Sequence, residues 1–349
     1  MVIMKTAAPN RVPRDELRQA LEQVLSAHFK TPRRIKHLRR RISAYSSSCT
    51  IENLDVTMDR GQKLSLVLKD LSPGSRLAAA KKVRPPFLYE SRRELEIYRR
   101  ILRPGEHGTA ICYGAIESVD RQRYWLFLER VKGPLLWQIG RLNTWEQAAR
   151  WLAAFHSGFE TARGRGNLAR LPFLLRYDEQ LLRTWLTRAQ EFLHYRNGAA
   201  SRDLRRRFER LAGGYELVIK RLLQFPTTFI HGEFYPSNII VNRSRNAARI
   251  CPIDWELAAV APGPVDLAAL TSGNWTGEQK RRLLAAYRDG LGPASGSRPS
   301  MVELAEAVEY CQLHLSVQML GWSPKWSPPL QHAQNWLQEA LRLAANLGL

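Results

Sequence analysis

The sequence predicts an α+β protein of two lobes, a small β-rich lobe over residues 1–131 and a larger, mainly helical lobe over residues 132–349. Stretches with strand-like alternation gather before Gly133, whereas stretches with helical periodicity dominate after it. A chain of 349 residues is long enough for two hydrophobic cores. Gly133-Pro134 punctuates the chain where the pattern changes, so residues 129–134 are predicted to connect the lobes.

The first lobe is predicted to hold a leading helix, an antiparallel sheet and a second helix. Leu17, Leu21, Val24 and Leu25 share one side of the leading helix. Alternation is clearest in the strand over residues 63–69, which ends on a lysine. The predicted elements are a helix at 13–27, strands within 42–69, a helix at 90–102 and strands at 110–118 and 124–131.

The second lobe is predicted to be mostly helical, with a few short strands around one loop. An apolar strand precedes His231, and two further short strands flank the polar turn 242–246. The predicted helices cover residues 145–159, 179–195, 201–223, 277–291, 301–320 and 329–345.

The chain is strongly basic, with 53 Lys and Arg against 32 Asp and Glu and a formal charge of +21. Such a charge attracts polyanions, so nucleic acid or an acidic membrane surface has to be considered. The densest runs are at 33–36, 39–41 and 205–207, without a basic tail, zinc-finger spacing or helix-turn-helix signal. We interpret them as solvated helical faces, and an anionic partner is the alternative.

The cysteines favour a reduced protein without a disulfide framework. Cys49, Cys112, Cys251 and Cys311 lie far apart and form no C-x-x-C, which also argues against a zinc site. The first residues lack the apolar stretch of a signal peptide, and no window has the ~18 apolar residues of a membrane span. These patterns predict a cytoplasmic protein.

Residues 231–256, HGEFYPSNIIVNRSRNAARICPIDWE, carry the strongest functional signal. Glu233 stands five residues before Asn238, and Asp254 ends the second apolar run that follows. This is the spacing of the kinase catalytic loop D-x-x-x-x-N, with Glu at the base position. Phosphoryl transfer uses such a set, because one carboxylate handles the acceptor hydroxyl while a carboxamide and a second carboxylate hold Mg2+.

Two features of the first lobe are predicted to bind a nucleotide. Lys69 ends an apolar strand, and Glu94 on the next helix is the natural carboxylate to hold it in place. An ordinary surface ion pair is the alternative. Glu129 to Val131 follow the strand at 124–128, where backbone groups of an interlobe connector would hold adenine, although a plain interdomain turn explains them nearly as well.

The phosphate-covering loop and the histidine are less distinctive. No G-x-G-x-x-G or Walker sequence occurs, and Tyr45-Ser46-Ser47-Ser48 stands where such a loop belongs. Ser47 is the candidate phosphate contact there, and a plain turn is an equal alternative. His231 lacks a cluster of other histidines at metal-binding spacing, so we interpret it as a structural residue of the loop. No hydrolase nucleophile motif is present.

Together these residues resemble the aminoglycoside phosphotransferase family, relatives of choline kinases with a protein-kinase-like fold. The matching segments are His231-Gly232-Glu233 through Asn238, Ile253-Asp254-Trp255-Glu256, and Gly263 to Ala268, the last more loosely. The resemblance reasonably covers residues 42–345 and is sharpest at 229–270.

The resemblance implies ATP-dependent phosphorylation of a hydroxyl on a small molecule, with GTP as the other possible nucleotide. It implies that Asn238 and Asp254 bind Mg2+, that Lys69 contacts phosphates and that position 233 faces the acceptor. Asp266 would brace the catalytic loop. Trp322, Trp326 and Trp336 lie where such proteins build the acceptor site, but packing of the helical lobe is the favoured interpretation.

Glu233 departs from the aspartate of that family. The extra methylene lengthens the side chain by roughly 1.5 Å, one C–C bond. Glutamate offers the same chemistry, with a reference pKa of ~4.3 against ~3.9. An active kinase is therefore the leading hypothesis. The alternative is a catalytically weak or inactive pseudokinase, a regulatory or scaffold protein that binds nucleotide.

Overall fold

The computed structural model describes residues 11–46, 48–102, 107–195, 201–243, 248–292, 298–322 and 334–349. The chain divides into two compact units, Met1–Gly133 and Pro134–Leu349. The first unit is built on a β-sheet and the second mainly on helices. The predicted α+β class is thus confirmed.

The first unit is an antiparallel sheet covered by its leading helix. Its elements are α1 (Arg14–Phe29), β1 (Ile35–Ile42), β2 (Thr50–Met58), β3 (Lys63–Asp70), α2 (Ala78–Val83), α3 (Arg93–Arg100), β4 (Cys112–Ser118) and β5 (Arg123–Glu129). The strand order is β1-β2-β3-β5-β4. Leu17, Leu21 and Leu25 of α1 are buried in the same core as Leu66 and Phe127 of the sheet.

One glycine allows α1 to lie close to the sheet. The β4–β5 register shifts between Cys112 and Gly114, and Gly114 has φ +146°. A Cβ at that position would lie 2.9 Å from Cγ1 of Val24 on α1. A side chain there would therefore push the helix off the sheet.

The helical interpretation of the basic run at 39–41 is wrong, because these residues lie on β1. A register shift between Ile35 and His37 breaks the regular alternation, so the strand lacks a period of two. Ile35 and Leu38 are buried, and the guanidinium of Arg40 binds both carboxylate oxygens of buried Glu52. By contrast, the run at 205–207 does lie on a helix, the second unit's α7 (Arg202–Gln224).

The second unit packs helices around one apolar core. Its other elements are α4 (Leu142–Ser157), α5 (Ala162–Ala169), β6 (Leu175–Arg176), α6 (Glu179–Tyr195), β7 (Thr227–Ile230), β8 (Ile239–Arg243), β9 (Ala248–Pro252), β10 (Ala259–Pro262), α8 (Pro264–Leu270), α9 (Gly277–Gly290), α10 (Met301–Leu320) and α11 (Trp336–Asn346). Strands β6-β10-β7 form one small sheet, and β8 and β9 form a hairpin. The C-terminal half of α10 is buried throughout.

The last helix begins later than the sequence predicts. Asn335 caps α11, its side chain accepting the N–H of Gln338, and residues 334 and 335 are not helical. The predicted start at 329 is therefore too early, and residues 329–333 lie outside the described part of the chain. Within the described ranges, no helix has both the length and the apolarity needed to cross a bilayer.

Candidate active site

The loop after β7 turns sharply at Gly232. This residue has φ +82°, and a Cβ on it would lie 2.2 Å from the carbonyl oxygen of Leu257. No L-residue fits such a position without moving the backbone. The turn sets His231 on the buried side and leaves Glu233 partly exposed.

Asp266, near the start of α8, holds this turn through its side chain. Its Oδ2 accepts the backbone N–H of His231 at 2.7 Å, and Oδ1 accepts that of Gly232 at 2.9 Å. Nε2 of His156 lies 3.2 Å from Oδ2, and the hydroxyl of Tyr287 lies 2.9 Å from Nδ1 of the same histidine. Asp266 is fully buried, so its charge is stabilised only by such donors.

His231 links the loop to the segment that carries Asp254. Its Nδ1 accepts the N–H of Glu233 at 3.2 Å, and its Nε2 lies 2.9 Å from the carbonyl oxygen of Ile253. A ring that accepts at Nδ1 and meets a carbonyl at Nε2 is neutral, with the proton on Nε2. His231 thus fixes positions 233 and 253 relative to each other.

The hydrogen bonds of Asn238 show which end of its carboxamide is the donor and which is the acceptor. Nδ2 donates to the backbone oxygen of Glu233 at 3.0 Å, and the backbone oxygen of Asn238 accepts the N–H of Ile253 at 2.9 Å. The donor end of the carboxamide is therefore used inside the loop. Oδ1, the end that a hard cation prefers, is the group left for a ligand.

Asp254 has a backbone conformation unusual for its residue type. Its φ is +71°, in the left-handed region. Aspartate tolerates this region better than most residues, but it still costs free energy of order 1 kcal/mol or more. Such conformations cluster at ligand-binding positions, where the fold imposes them.

Aromatic rings pack against His231 and Phe234 of the loop. Trp255 stacks on Phe229 at 5.9 Å with 3° between the planes, and its ring lies 4.4 Å from that of His231. Trp151 stacks on Phe234 at 5.7 Å. Such pairs add about 0.5–1.5 kcal/mol each beyond their burial, so they help to keep the loop rigid.

Two tyrosines near Glu233 were not found from the sequence. Burial raises the pKa of both Tyr177 and Tyr235, and the negative charge of Glu233 raises each pKa further. Both phenols therefore stay protonated at neutral pH, and the hydroxyl of Tyr177 donates to Oε1 of Gln318 at 3.4 Å. Tyr235 stands within the loop motif, whereas no sequence signal relates Tyr177 to position 233.

In the first unit, Lys69 and Glu94 form a buried ion pair. Nζ lies 2.5 Å from Oε2, and the two side chains are 8% and 1% exposed. The alternative of a surface ion pair is thus wrong. Lys69 sits on β3 between Ile51 of β2 and Leu126 of β5, so the sheet fixes the stem that carries the ammonium group.

The connector and the first hairpin have their own local roles. The carboxylate of Glu129 accepts the N–H of Ile111 at 3.1 Å, while Val131 is half-buried. The hydroxyl of Ser46 closes the β1–β2 turn by accepting the N–H of Ile51 at 3.1 Å. Ser47, the predicted phosphate contact, lies outside the described residues.

The donor set of the second unit fits Mg2+ rather than a protein-enclosed metal. No group of three or more His, Cys, Asp or Glu among the described residues could hold a metal ion. Mg2+ bound with a nucleotide takes only one or two protein ligands and completes its octahedron with phosphates and water. A carboxamide oxygen of Asn238 and a carboxylate of Asp254 suit that role.

The family is shown by sequence. The model of the phosphotransferase enzyme family matches residues 53–304, well over half of the chain. The chain belongs to this family. The match contains both the Lys69–Glu94 pair and the loop from His231 to Asp254. No curated protein is similar enough to count as a relative of this phosphotransferase family member.

Solved structures show the same fold at low identity. The GDP complex of an aminoglycoside 2'-phosphotransferase-IIIa mutant matches with TM-score 0.55 and 13% identity, over 94% of this chain and 96% of that one. An ethanolamine kinase of Plasmodium vivax matches with TM-score 0.51 and 14% identity, over 89% and 82%. A macrolide 2'-phosphotransferase of Brachybacterium faecium also has TM-score 0.51 and 14% identity, over 91% and 99%. The protein-kinase-like fold of the family is thereby confirmed.

The C-terminal tryptophans have different surroundings. Trp322 stacks on buried Trp185 at 5.8 Å, as packing of the helical lobe predicts. Trp336 is buried and lines a cavity described below. Trp326 lies outside the described residues.

Proposed function

We propose that the protein transfers the γ-phosphoryl group of ATP to a hydroxyl of a small molecule, with GTP as the other candidate donor. The carrying observation is the loop in which Asp266 and His231 hold Glu233 and Asn238 beside the Asp254 segment. Family membership supports phosphoryl transfer. Solved neighbours described as GDP or ADP complexes support a nucleotide donor.

Asn238 and Asp254 hold Mg2+ through Oδ1 and a carboxylate oxygen. An ion held by these two residues would supply positive charge against the phosphoryl group during transfer. The internal hydrogen bond from Nδ2 of Asn238 orients its carboxamide before any ligand arrives. The fold thus pays the cost of ordering this donor in advance.

Glu233 orients the acceptor hydroxyl and takes its proton. Its backbone N–H is held by His231, and the carboxamide of Asn238 donates to its carbonyl oxygen. The main chain is therefore fixed on both sides, and the longer side chain sets the distance to the acceptor. Tyr177 and Tyr235 remain protonated near this carboxylate, and the hydroxyl of Tyr177 donates to Oε1 of Gln318.

Lys69 contacts the nucleotide phosphates, and Glu94 keeps its ammonium group in place. The backbone of Glu129 to Val131 holds adenine, since the carboxylate of Glu129 is already used within the first unit. These roles rest on the family pattern and on the buried position of the pair. No role is assigned to Ser47, which lies outside the described residues.

The test is a thermal-shift titration with ATP and GTP, with and without Mg2+, on the wild type and on Asp254→Ala, followed by ADP release with a panel of hydroxyl compounds. A ligand at ~100 times its dissociation constant adds ~2.7 kcal/mol to the free energy of unfolding. We expect Mg2+-dependent stabilisation that the variant loses. ADP release unaffected by Asp254→Ala would overturn the assignment, and nucleotide binding without transfer to any acceptor would favour the pseudokinase.

A further inference from the structure

The second unit contains a cavity that none of the roles above uses. It has a volume of about 290 Å³ and lies where the end of α8 meets α9, α10 and α11. That volume is close to the lower end of ~300–1,000 Å³ found for ligand pockets. The cavity therefore suits a small metabolite.

The charge in this cavity comes from Lys280. Its Nζ donates to Oε1 of Gln312 at 2.8 Å, and among the described residues no carboxylate lies within ion-pair distance of it. Burial lowers the pKa of Lys280, so its charge is poorly solvated. An ammonium group has three donors, and this one has a single hydrogen-bond partner in the described structure.

The acidic groups nearby form no ion pair with Lys280 in the described part of the chain. Arg342 binds both carboxylate oxygens of Glu339, at 2.9 and 2.7 Å, so these two charges cancel. The charge of Glu309 raises the pKa of Lys280, but the burial of Lys280 lowers it by more. Gln312 cannot turn away to offer another acceptor, because its Nε2 already donates to the carbonyl and hydroxyl oxygens of Thr271.

Two tryptophans and Leu315 form the apolar walls of the cavity. Trp275 and Trp336 both line it. Trp275 is fixed by an edge contact with Trp145 at 4.8 Å. Nε1 of Trp336 is buried and has no hydrogen-bond partner within the described ranges.

We infer that this cavity binds a small molecule that carries a carboxylate or phosphate group next to a flat ring. The anionic group pairs with Lys280, and the ring contacts the tryptophan faces. A cationic ligand does not fit, because Glu339, the one carboxylate among the described residues that line the cavity, is already bound by Arg342.

The ligand is either the phosphoryl acceptor or a separate effector. Helix α8 contributes Asp266 to the catalytic loop and is followed directly by Thr271 at the cavity. Five residues of helix span about 7.5 Å. The cavity is thus physically connected to the loop, but binding of an anion there does not require that the protein transfers a phosphoryl group.

The test compares phenylacetate with phenylacetamide, which differ in charge but share the ring. Binding is measured by ligand-observed NMR to the wild type, Lys280→Met and Lys220→Met, the last an exposed lysine of α7. We expect the acid to bind the wild type at least 10-fold more tightly than the amide, Lys280→Met to lose that preference and Lys220→Met to keep it. Equal binding of acid and amide to the wild type, or an unchanged preference in Lys280→Met, would overturn the inference.

Two further arms separate the possible sources and the two proposals. Phosphorylation of 4-hydroxyphenylacetate would identify the cavity as an acceptor site, whereas an effect of phenylacetate on ADP release alone would identify an effector site.

The variant Asp254→Ala separates the cavity inference from the proposed function, because it should retain binding of the acid. Mg-nucleotide stabilisation without acid binding would overturn the cavity inference alone, and acid binding without nucleotide stabilisation would overturn the proposed function alone. Lys280→Arg, which keeps the charge, should retain preference for the acid if Lys280→Met fails to fold.

Discussion

Oδ1 of Asp266 accepts the backbone N–H of Gly232 at 2.9 Å, while the second oxygen of the same carboxylate accepts the N–H of His231. The bond to His231 is buried and the bond to Gly232 is partly buried. A carboxylate offers two acceptor oxygens, whereas a neutral amide would offer one. The turn before Glu233 thus depends on a carboxylate located on a helix 34 residues further along the chain.

Asp266→Asn should therefore destabilise the protein and lower its turnover. One of the two N–H groups would face an NH2 group, and an unsatisfied buried donor costs about 1–3 kcal/mol. Urea unfolding and ADP release measure the two effects. Asp289→Asn, an exposed aspartate of α9, is the matched control and should change neither. Unchanged stability in Asp266→Asn would show that the carboxylate does not hold the turn.

Gly232→Ala should destabilise the protein by more than 1 kcal/mol, since the new Cβ would lie 2.2 Å from a backbone oxygen and φ is +82°. Gly213→Ala is a control of opposite sign. Gly213 lies on α7 with open space around it, so alanine should stabilise the helix by about 0.5–1 kcal/mol. Thermal and urea unfolding of both variants decide the matter, and similar shifts in the two would contradict the role of the turn.

The candidate catalytic loop could be predicted from the sequence because its groups lie close together along the chain. The side chain of Asn238 donates a hydrogen bond to the backbone oxygen of Glu233, five residues earlier. The Lys69–Glu94 pair could also be predicted, since a strand end and the next helix supply both partners.

What the sequence did not predict depends on contacts between distant elements. Tyr177 and Tyr287 meet the loop region through packing of helices and strands, for which one sequence carries no periodic signal. The strand β1 was missed because a register shift between Ile35 and His37 disrupts its alternation.

Lys69→Met should have separable effects on stability and on nucleotide binding. Removing the lysine leaves Glu94, 1% exposed, without its cationic partner, which costs about 3–5 kcal/mol. Lys69→Met combined with Glu94→Leu should recover most of that stability. If Lys69 contacts phosphates, the double variant should recover stability but bind nucleotide more weakly than the wild type in thermal-shift titrations. Wild-type affinity in the double variant would show that the pair is structural only. Lys63→Met, exposed at the start of β3, is the control.

Glu233→Asp should lower kcat about 100-fold with little change in KM, since a misplacement of about 1 Å costs that much where positioning dominates. Glu233→Gln should lower kcat by about 100-fold or more, because the amide cannot take a proton. Glu191→Asp, exposed on α6, controls for the substitution itself. A faster Glu233→Asp variant would mean that glutamate weakens the site, which would favour the pseudokinase.

His314 should make the protein less stable in mild acid. Its ring is buried, with Nδ1 3.0 Å from the hydroxyl of Tyr215, and Nε2 has no partner among the described residues. Burial lowers the pKa of His314 to about 3. The unfolded chain, with a pKa near 6.5, takes up the proton first, so stability is constant above about pH 6.5 and falls as the pH drops toward 3. The free energy of unfolding then falls by about 1.4 kcal/mol per pH unit.

Urea unfolding should therefore show a loss of about 2 kcal/mol from this residue between pH 7 and 5. The stability of His314→Gln, which keeps a hydrogen-bonding group, should not show this 2 kcal/mol drop with pH. His37→Gln, at an exposed position of β1, should show the same drop as the wild type. If His314→Gln and the wild type lose the same stability over this range, His314 takes up a proton in the folded protein and its burial does not control the acid sensitivity.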